Sequence, residues 1–136
     1  MTGSPVCVTT MDNIYEAAVI MRDHDTGFVP VVDDNDSKKL IGVITDRDLV
    51  LRGYAAKHSG STSVENVMST NVQTVSGGTS VDEAAELMAS QQIRRLPVVE
   101  DGRLIGVVSI GDLAVRQVYV EEAGQALSDI SQQHLQ

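Results

Sequence analysis

Three features of the 136-residue sequence predict an α+β fold made of two pseudo-symmetric β-α-β-β-α repeats packed together as one module. "LIGVITDRDLVLR" at Leu40–Arg52 returns as "LIGVVSIGDLAVR" at Leu104–Arg116. Ahead of each copy lies a stretch with helical apolar spacing, Ile14, Ala17, Ala18 and Met21 in one and Val81, Ala84, Ala85 and Met88 in the other, 67 residues apart. Hydrophobic residues make up 42% of the chain and aromatics 3%, so the core is aliphatic and suits small, closely packed elements. Units of about 60 residues bury too little surface alone, and two of them are expected to share a core.

The elements follow in order. A short strand at Val8, matched by Val75, precedes each amphipathic helix. Ser80 and Glu83 form a capping-box pattern at the start of the second helix, whereas Thr10 or Asp12 is expected to cap the first. Val29–Val32 and Leu96–Val99 read as short buried strands, each with a proline placed where no neighbour needs its N–H. The turn "DDNDSKK" then leads into "LIGVIT", and a turn three residues shorter leads into "LIGVVS", giving a hairpin in each copy. Gly42 and Gly106 mark a bulge or a close approach by another backbone. Each hairpin stops at a hydroxyl, Thr45 or Ser109, where a second helix begins.

Gly53 is suited to ending the first of these helices, and "GYAAKHSGSTS" reads as a polar connector, so the repeats are placed at 8–60 and 64–130. In the second copy the helical reading continues as a C-terminal helix with the stripe Leu113, Arg116, Val120, Ala123, Leu127 and Ile130. Such a stripe packs within the chain or, where exposed, makes a homodimer surface.

Composition and spacing narrow the function. A formal net charge of −9 opposes phosphodiester backbones, which argues against nucleic acid as a partner but leaves a single nucleotide in a local pocket possible. No apolar run approaches the roughly 20 residues that span a bilayer, and "MTGSPVCVTT" lacks the parts of a signal peptide. A cytoplasmic protein without membrane contact is expected. Cys7 has no second cysteine to pair with, and His24, His58 and His134 are scattered, so neither a metal site nor catalytic residues are expected. "DDNDS" lacks the glycine and distal glutamate of a calcium loop and reads as a hairpin turn, and Gly77-Gly78 is a turn before a helix. The chain does not read as an enzyme.

The doubled pattern of an alanine-rich helix, then "VPVVD" or "LPVVE", then "LIGVITDRD" or "LIGVVSIGD", resembles the tandem CBS domain, or Bateman module. The likeness runs from about residue 8 to residue 130, and the wording "TDRDLV" is similar to that of the stand-alone, two-repeat hypoxic response protein group. The resemblance implies a regulatory sensor of an adenosine ligand, with two clefts between the repeats. In its G-h-h-[ST]-x-x-D pattern the acid accepts the ribose hydroxyls and the hydroxyl residue faces the phosphate. Here these are Asp48 with Thr45 and Asp112 with Ser109, and the strands lining the adenine are Val29, Pro30 and Val31 in one cleft and Leu96, Pro97 and Val98 in the other.

Elementary chemistry fits such a site. A strand end followed by a helix start is expected to offer free N–H groups to a phosphate, and Arg47, Arg94 and Arg95 are candidate phosphate-facing cations. AMP, ADP or ATP is the expected ligand ahead of S-adenosylmethionine or NAD, with no cofactor required and the output passed to a separate protein effector. Thr45-x-x-Asp48 and Ser109-x-x-Asp112 equally satisfy capping boxes that need no ligand, which is the pattern of a ligand-free, stress-associated interaction module. The copies also differ: "TDRD" carries charge where "SIGD" has Ile110 and Gly111, and the first copy has no counterpart of the "VMS" that leads the second. Unequal sites are expected.

Overall fold

The computed structural model describes residues 5–112, which fall into two compact units, Val6–Val72 and the chain from Gln73 onward together with Pro5. The first unit contains β1 (Val8–Thr9), α1 (Ile14–His24), β2 (Phe28–Val32), β3 (Leu40–Thr45) and α2 (Asp46–Asp48). From α2 the chain runs on as a π-helical turn, Leu49–Tyr54, and later makes a 3-10 turn at Val64–Asn66. The second unit contains β4 (Val75–Ser76), α3 (Val81–Gln91), β5 (Arg95–Glu100) and β6 (Arg103–Ser109). Each unit carries one three-stranded sheet, in order β1-β2-β3 and β4-β5-β6, with a parallel first pair and an antiparallel second pair. The fold is thus α+β, with the same β-α-β-β succession described in both units. The expected C-terminal helix and its stripe lie outside the described residues.

Both long helices start at a reciprocal capping box. Ser80 Oγ accepts from the Glu83 N–H while Ser80 N–H donates to Glu83. In the first unit Asn13, rather than Thr10 or Asp12, does this with Glu16. Asn13 is the residue that the 67-residue offset lays on Ser80, and Asp12 instead accepts from Thr9 N–H at the end of β1. The next two donors of α1 are taken by the connector: Ile14 N–H donates to Thr62 C=O and Tyr15 N–H to Gly60 C=O. A helix start that would otherwise leave orphan donors is thereby closed by a segment that reads as a loose linker. Gly53 lies inside the π-helical turn and does not end it, and a Cβ there would make an ordinary contact with Ile14 Cδ1, at 3.4 Å.

Ile14, Ala17 and Met21 face the core of the first unit with Val8, Val29, Val31, Ile44, Val64 and Val67. Val81, Ala84 and Met88 do the same in the second, against Val75, Leu96, Val98 and Val108. Ala18 is exposed and Ala85 half-buried, so the apolar stripe is narrower than the spacing predicts. A three-stranded sheet covers a narrow strip of helix, and a lone methyl group loses little by facing water.

Pro30 sits in the central strand of its sheet, opposite Val43. Val43 directs both its N–H and its C=O toward Ser69, so Pro30–Val43 is a non-hydrogen-bonded pair and the proline nitrogen points away from β3. On that side β1 reaches only Val31 and Val32, so no neighbour is left without a donor. Pro97 holds the equivalent register, opposite Val107, with β4 reaching only Val98 and Val99. Both sheets shift register just after the valine that pairs with Gly42 or Gly106. At Gly42 the close approach is literal, since a Cβ would lie 2.4 Å from Ser69 O.

The two hairpins turn differently. Asp101 and Gly102, with φ of 54° and 80°, make a two-residue turn of the kind that matches strand twist. In the longer turn Asp33 accepts from the N–H groups of Asp34 and Lys39, and Asp34 from those of Asp36 and Ser37. The acidic string is therefore a hairpin turn whose carboxylates are engaged by its own backbone.

Candidate functional site

β3 delivers Thr45 in an extended conformation, and the chain then enters α2. Thr45 Oγ1 accepts from Asp48 N–H at 3.1 Å and Thr45 N–H donates to Asp48 Oδ2 at 3.0 Å. Ser109 and Asp112 reproduce this at the end of β6, both bonds measuring 3.1 Å. The capping geometry is thus realised in both copies. Asp48 is the one buried charged side chain among the described residues, only 9% exposed.

The free N–H groups expected at these strand ends are largely absent in the first unit. Asp46 N–H donates to Gly27 C=O and Arg47 N–H to the Asp46 side chain, leaving no donor from Thr45 to Asp48 unmatched. A tight helix entry folds the loop before β2 onto it, and an acidic first residue caps its own neighbour. In the second unit Ile110 N–H likewise donates to Arg94 C=O. Ile110 has no carboxylate to reach forward, and the Gly111 N–H makes no hydrogen bond among the described residues.

The other sequence-predicted residues divide into groups. Val29 and Val31 are core side chains, as are Leu96 and Val98, so these strands have only backbone and the prolines to offer a ligand. Alternation along the strand turns Pro30 and Pro97 to the opposite sheet face from those valines and that leucine. Arg95 stands directly across the ladder from Ser109, while Phe28 occupies the matching place across from Thr45. Arg94 is exposed beside Arg95. Arg47 lies with Asp46, Val50 and Leu51 around an open hollow of about 370 Å³.

Two residues that sequence reasoning passed over complete the first motif. Arg52 Nη2 donates to Asp48 Oδ1 at 2.9 Å and to Ser69 Oγ at 2.6 Å, and Ser69 Oγ donates to Asp48 Oδ1 at 3.1 Å. The i,i+4 spacing of Asp48 and Arg52 is a sequence signal for the first contact. Ser69, 21 residues from Asp48, carries no such signal.

Elsewhere, Cys7 is half-buried with its Sγ 3.9 Å from Lys38 Nζ, and burial raises its thiol pKa above the usual value, an effect the lysine charge partly offsets. No group of three His, Cys, Asp or Glu side chains among the described residues is placed to hold a metal ion. None of their helices is long and apolar enough to cross a membrane.

The doubled hairpin with its hydroxyl–carboxylate end is matched by the CBS domain over residues 1–53 and again over residues 64–118. The chain belongs to the CBS domain family. Among its relatives, an uncharacterized protein of Bacillus subtilis, YlbB, is 47% identical over 132 residues, which is 97% of this chain and 88% of that protein. Hypoxic response protein 1 of Mycobacterium tuberculosis is 34% identical over 115 residues, covering 84% of this chain and 79% of its own length. Among solved CBS structures, a CBS domain protein from Pyrobaculum aerophilum complexed with AMP superposes with a TM-score of 0.73 at 26% identity, over 90% of this chain and 95% of that one. Tandem repetition of the CBS domain therefore accounts for both copies of the sequence pattern.

Proposed function

We propose that this chain is a non-enzymatic regulatory module that binds an adenosine nucleotide, AMP, ADP or ATP, and passes the signal to a separate protein. The observation that carries the reading is the Ser109–Asp112 pair with Arg95 across the strand from it. A carboxylate there suits vicinal ribose hydroxyls, and a guanidinium with the Gly111 N–H, unpaired among the described residues, suits a phosphate. The AMP held by the Pyrobaculum aerophilum CBS protein supports the same ligand class. Thr45 and Asp48 form the corresponding first site, flanked by Arg47 and by the backbone of Val29, Pro30 and Val31. Arg94, Leu96, Pro97 and Val98 flank the second. The module acts as a cytoplasmic homodimer, a state favoured by the exposed apolar side chains Val50, Leu51 and Tyr54.

A specific observation favours a second reading, in which the motifs are caps alone and the chain is a ligand-free interaction module. Every N–H from Thr45 to Asp48 is already paired within the protein. Thermal shift with AMP, ADP, ATP, NAD and S-adenosylmethionine separates the two. A ligand at 100 times its dissociation constant adds about 2.7 kcal/mol to native stability. A saturable, adenosine-selective rise that Asp112→Asn diminishes is the expected result. No shift with any of the five establishes the caps-only reading.

A further inference from the structure

The Asp48 carboxylate that would receive a ribose is occupied by the protein itself. Its Oδ2 accepts from Thr45 N–H, and its Oδ1 accepts from both Arg52 Nη2 and Ser69 Oγ. The Ser69 hydroxyl also lies 3.3 Å from Oδ2. A carboxylate has about four lone-pair directions, and these contacts leave no adjacent pair open for the two donors of a vicinal diol. One of the present donors must leave before a ribose enters.

The two candidates for leaving are not equally free. The Ser69 backbone is held by a pair of bonds with Val43, of 2.9 Å and 2.8 Å, and by the close approach that Gly42 permits, so only its hydroxyl can rotate away while its Cβ stays beside Asp48. Arg52 hangs on a long flexible stem with its side chain 51% exposed, so its guanidinium can exchange Asp48 for water or for another anion at small cost.

We propose that Arg52 is a latch on the first motif: in the ligand-free protein it closes Asp48 against ribose, and a ligand bearing phosphate opens it by offering the guanidinium a new anionic partner. This inference rests on the proposed adenosine reading and adds a selection rule to it. A neutral nucleoside must break the ion pair without compensation, while a nucleotide replaces one charge-assisted contact by another. The apparent affinity for a nucleoside is then lowered by the fraction of molecules that are latched.

The test is calorimetric titration of adenosine and of AMP into full-length Asp112→Asn protein, so that the first motif reports, and into the same protein carrying Arg52→Met, Ser69→Ala or Asp48→Asn. Arg52→Met is expected to tighten adenosine about fivefold, as for a site latched in about four molecules of five, and to shrink the AMP preference over adenosine. Ser69→Ala, which leaves the guanidinium in place, is expected to tighten adenosine less. Adenosine binding unchanged or weakened by Arg52→Met, while Asp48→Asn still weakens it, overturns the latch and leaves ribose recognition standing. A larger gain from Ser69→Ala than from Arg52→Met also overturns it, by making the hydroxyl the obstacle. Indifference of both ligands to Asp48→Asn, or no binding to any of the proteins, overturns the reading at Asp48 and the latch with it.

Discussion

The two repeats share register, caps and core positions yet differ in the side chains around their motifs. Val29, Val31 and Ile44 in the first repeat answer to Leu96, Val98 and Val108 in the second, all fully buried. Around the motifs the pairs are Phe28 and Arg95, Asp46 and Ile110, Arg47 and Gly111. The first end is thus acidic and closed on itself, whereas the second has a cation across the strand and, among the described residues, a backbone donor with no partner. Packing fixes the fold through a small set of aliphatic positions, and residues outside that set are free to make the two ends chemically unlike.

This contrast can be broken at several points. The largest effect is expected from Gly42→Val, since any Cβ there collides with Ser69 O. A loss of about 3 kcal/mol or more is expected in urea unfolding, because the obstacle is pinned backbone and not a yielding side chain. Next comes the ligand contrast, in which Asp112→Asn is expected to weaken AMP about tenfold, close to the value of one charge-assisted hydrogen bond. The matching change at the latched Asp48 is expected to cost less in the same calorimetric titration.

Smaller effects sharpen the symmetry. Asn13→Ala and Ser80→Ala each remove the acceptor of a complete capping box, and each is expected to cost about 1 kcal/mol in thermal unfolding. Clearly unequal costs would show that the connector carbonyls at Gly60 and Thr62 carry part of the capping of α1. The smallest effect concerns acid. The Asp33 carboxyl is held below its usual pKa, first by the Ser37 hydroxyl and then by backbone N–H groups of the turn. A group whose pKa is lowered on folding contributes stability above its unfolded pKa, and that contribution fades as pH falls through the folded value. Asp33→Asn is therefore expected to flatten slightly the acid side of the stability profile below the ordinary carboxylate range, and the site is exposed enough to keep the change small.

The fold was legible in the sequence because the repeat states each element twice. Helical spacing in one copy checks the other, and the prolines and glycines fall at equivalent registers. Local chemistry was legible too, as the Thr45–Asp48 and Ser109–Asp112 boxes demonstrate, because their partners are three residues apart. Contacts made by tertiary approach were not. Gly27 and Arg94 carbonyls take the first N–H beyond each strand, and nothing in their identities announces it, since any residue has a carbonyl. Asn13 was legible in principle from the 67-residue offset, and Ser69 only once β3 had a neighbour on its outer side.

That neighbour bears on how such a chain divides. The stretch from Val64 to Ser69 belongs, by its wording, to the opening of the second copy, yet Val64 and Val67 are fully buried in the first core and Ser69 borders β3. The first core is thus completed by residues that open the second copy of the pattern. A gene cut at the polar connector would strip the first copy of Val64, Val67 and Ser69, whereas a cut after Val72 would keep them with it. The first core therefore closes later along the chain than the point at which the second copy of the pattern begins.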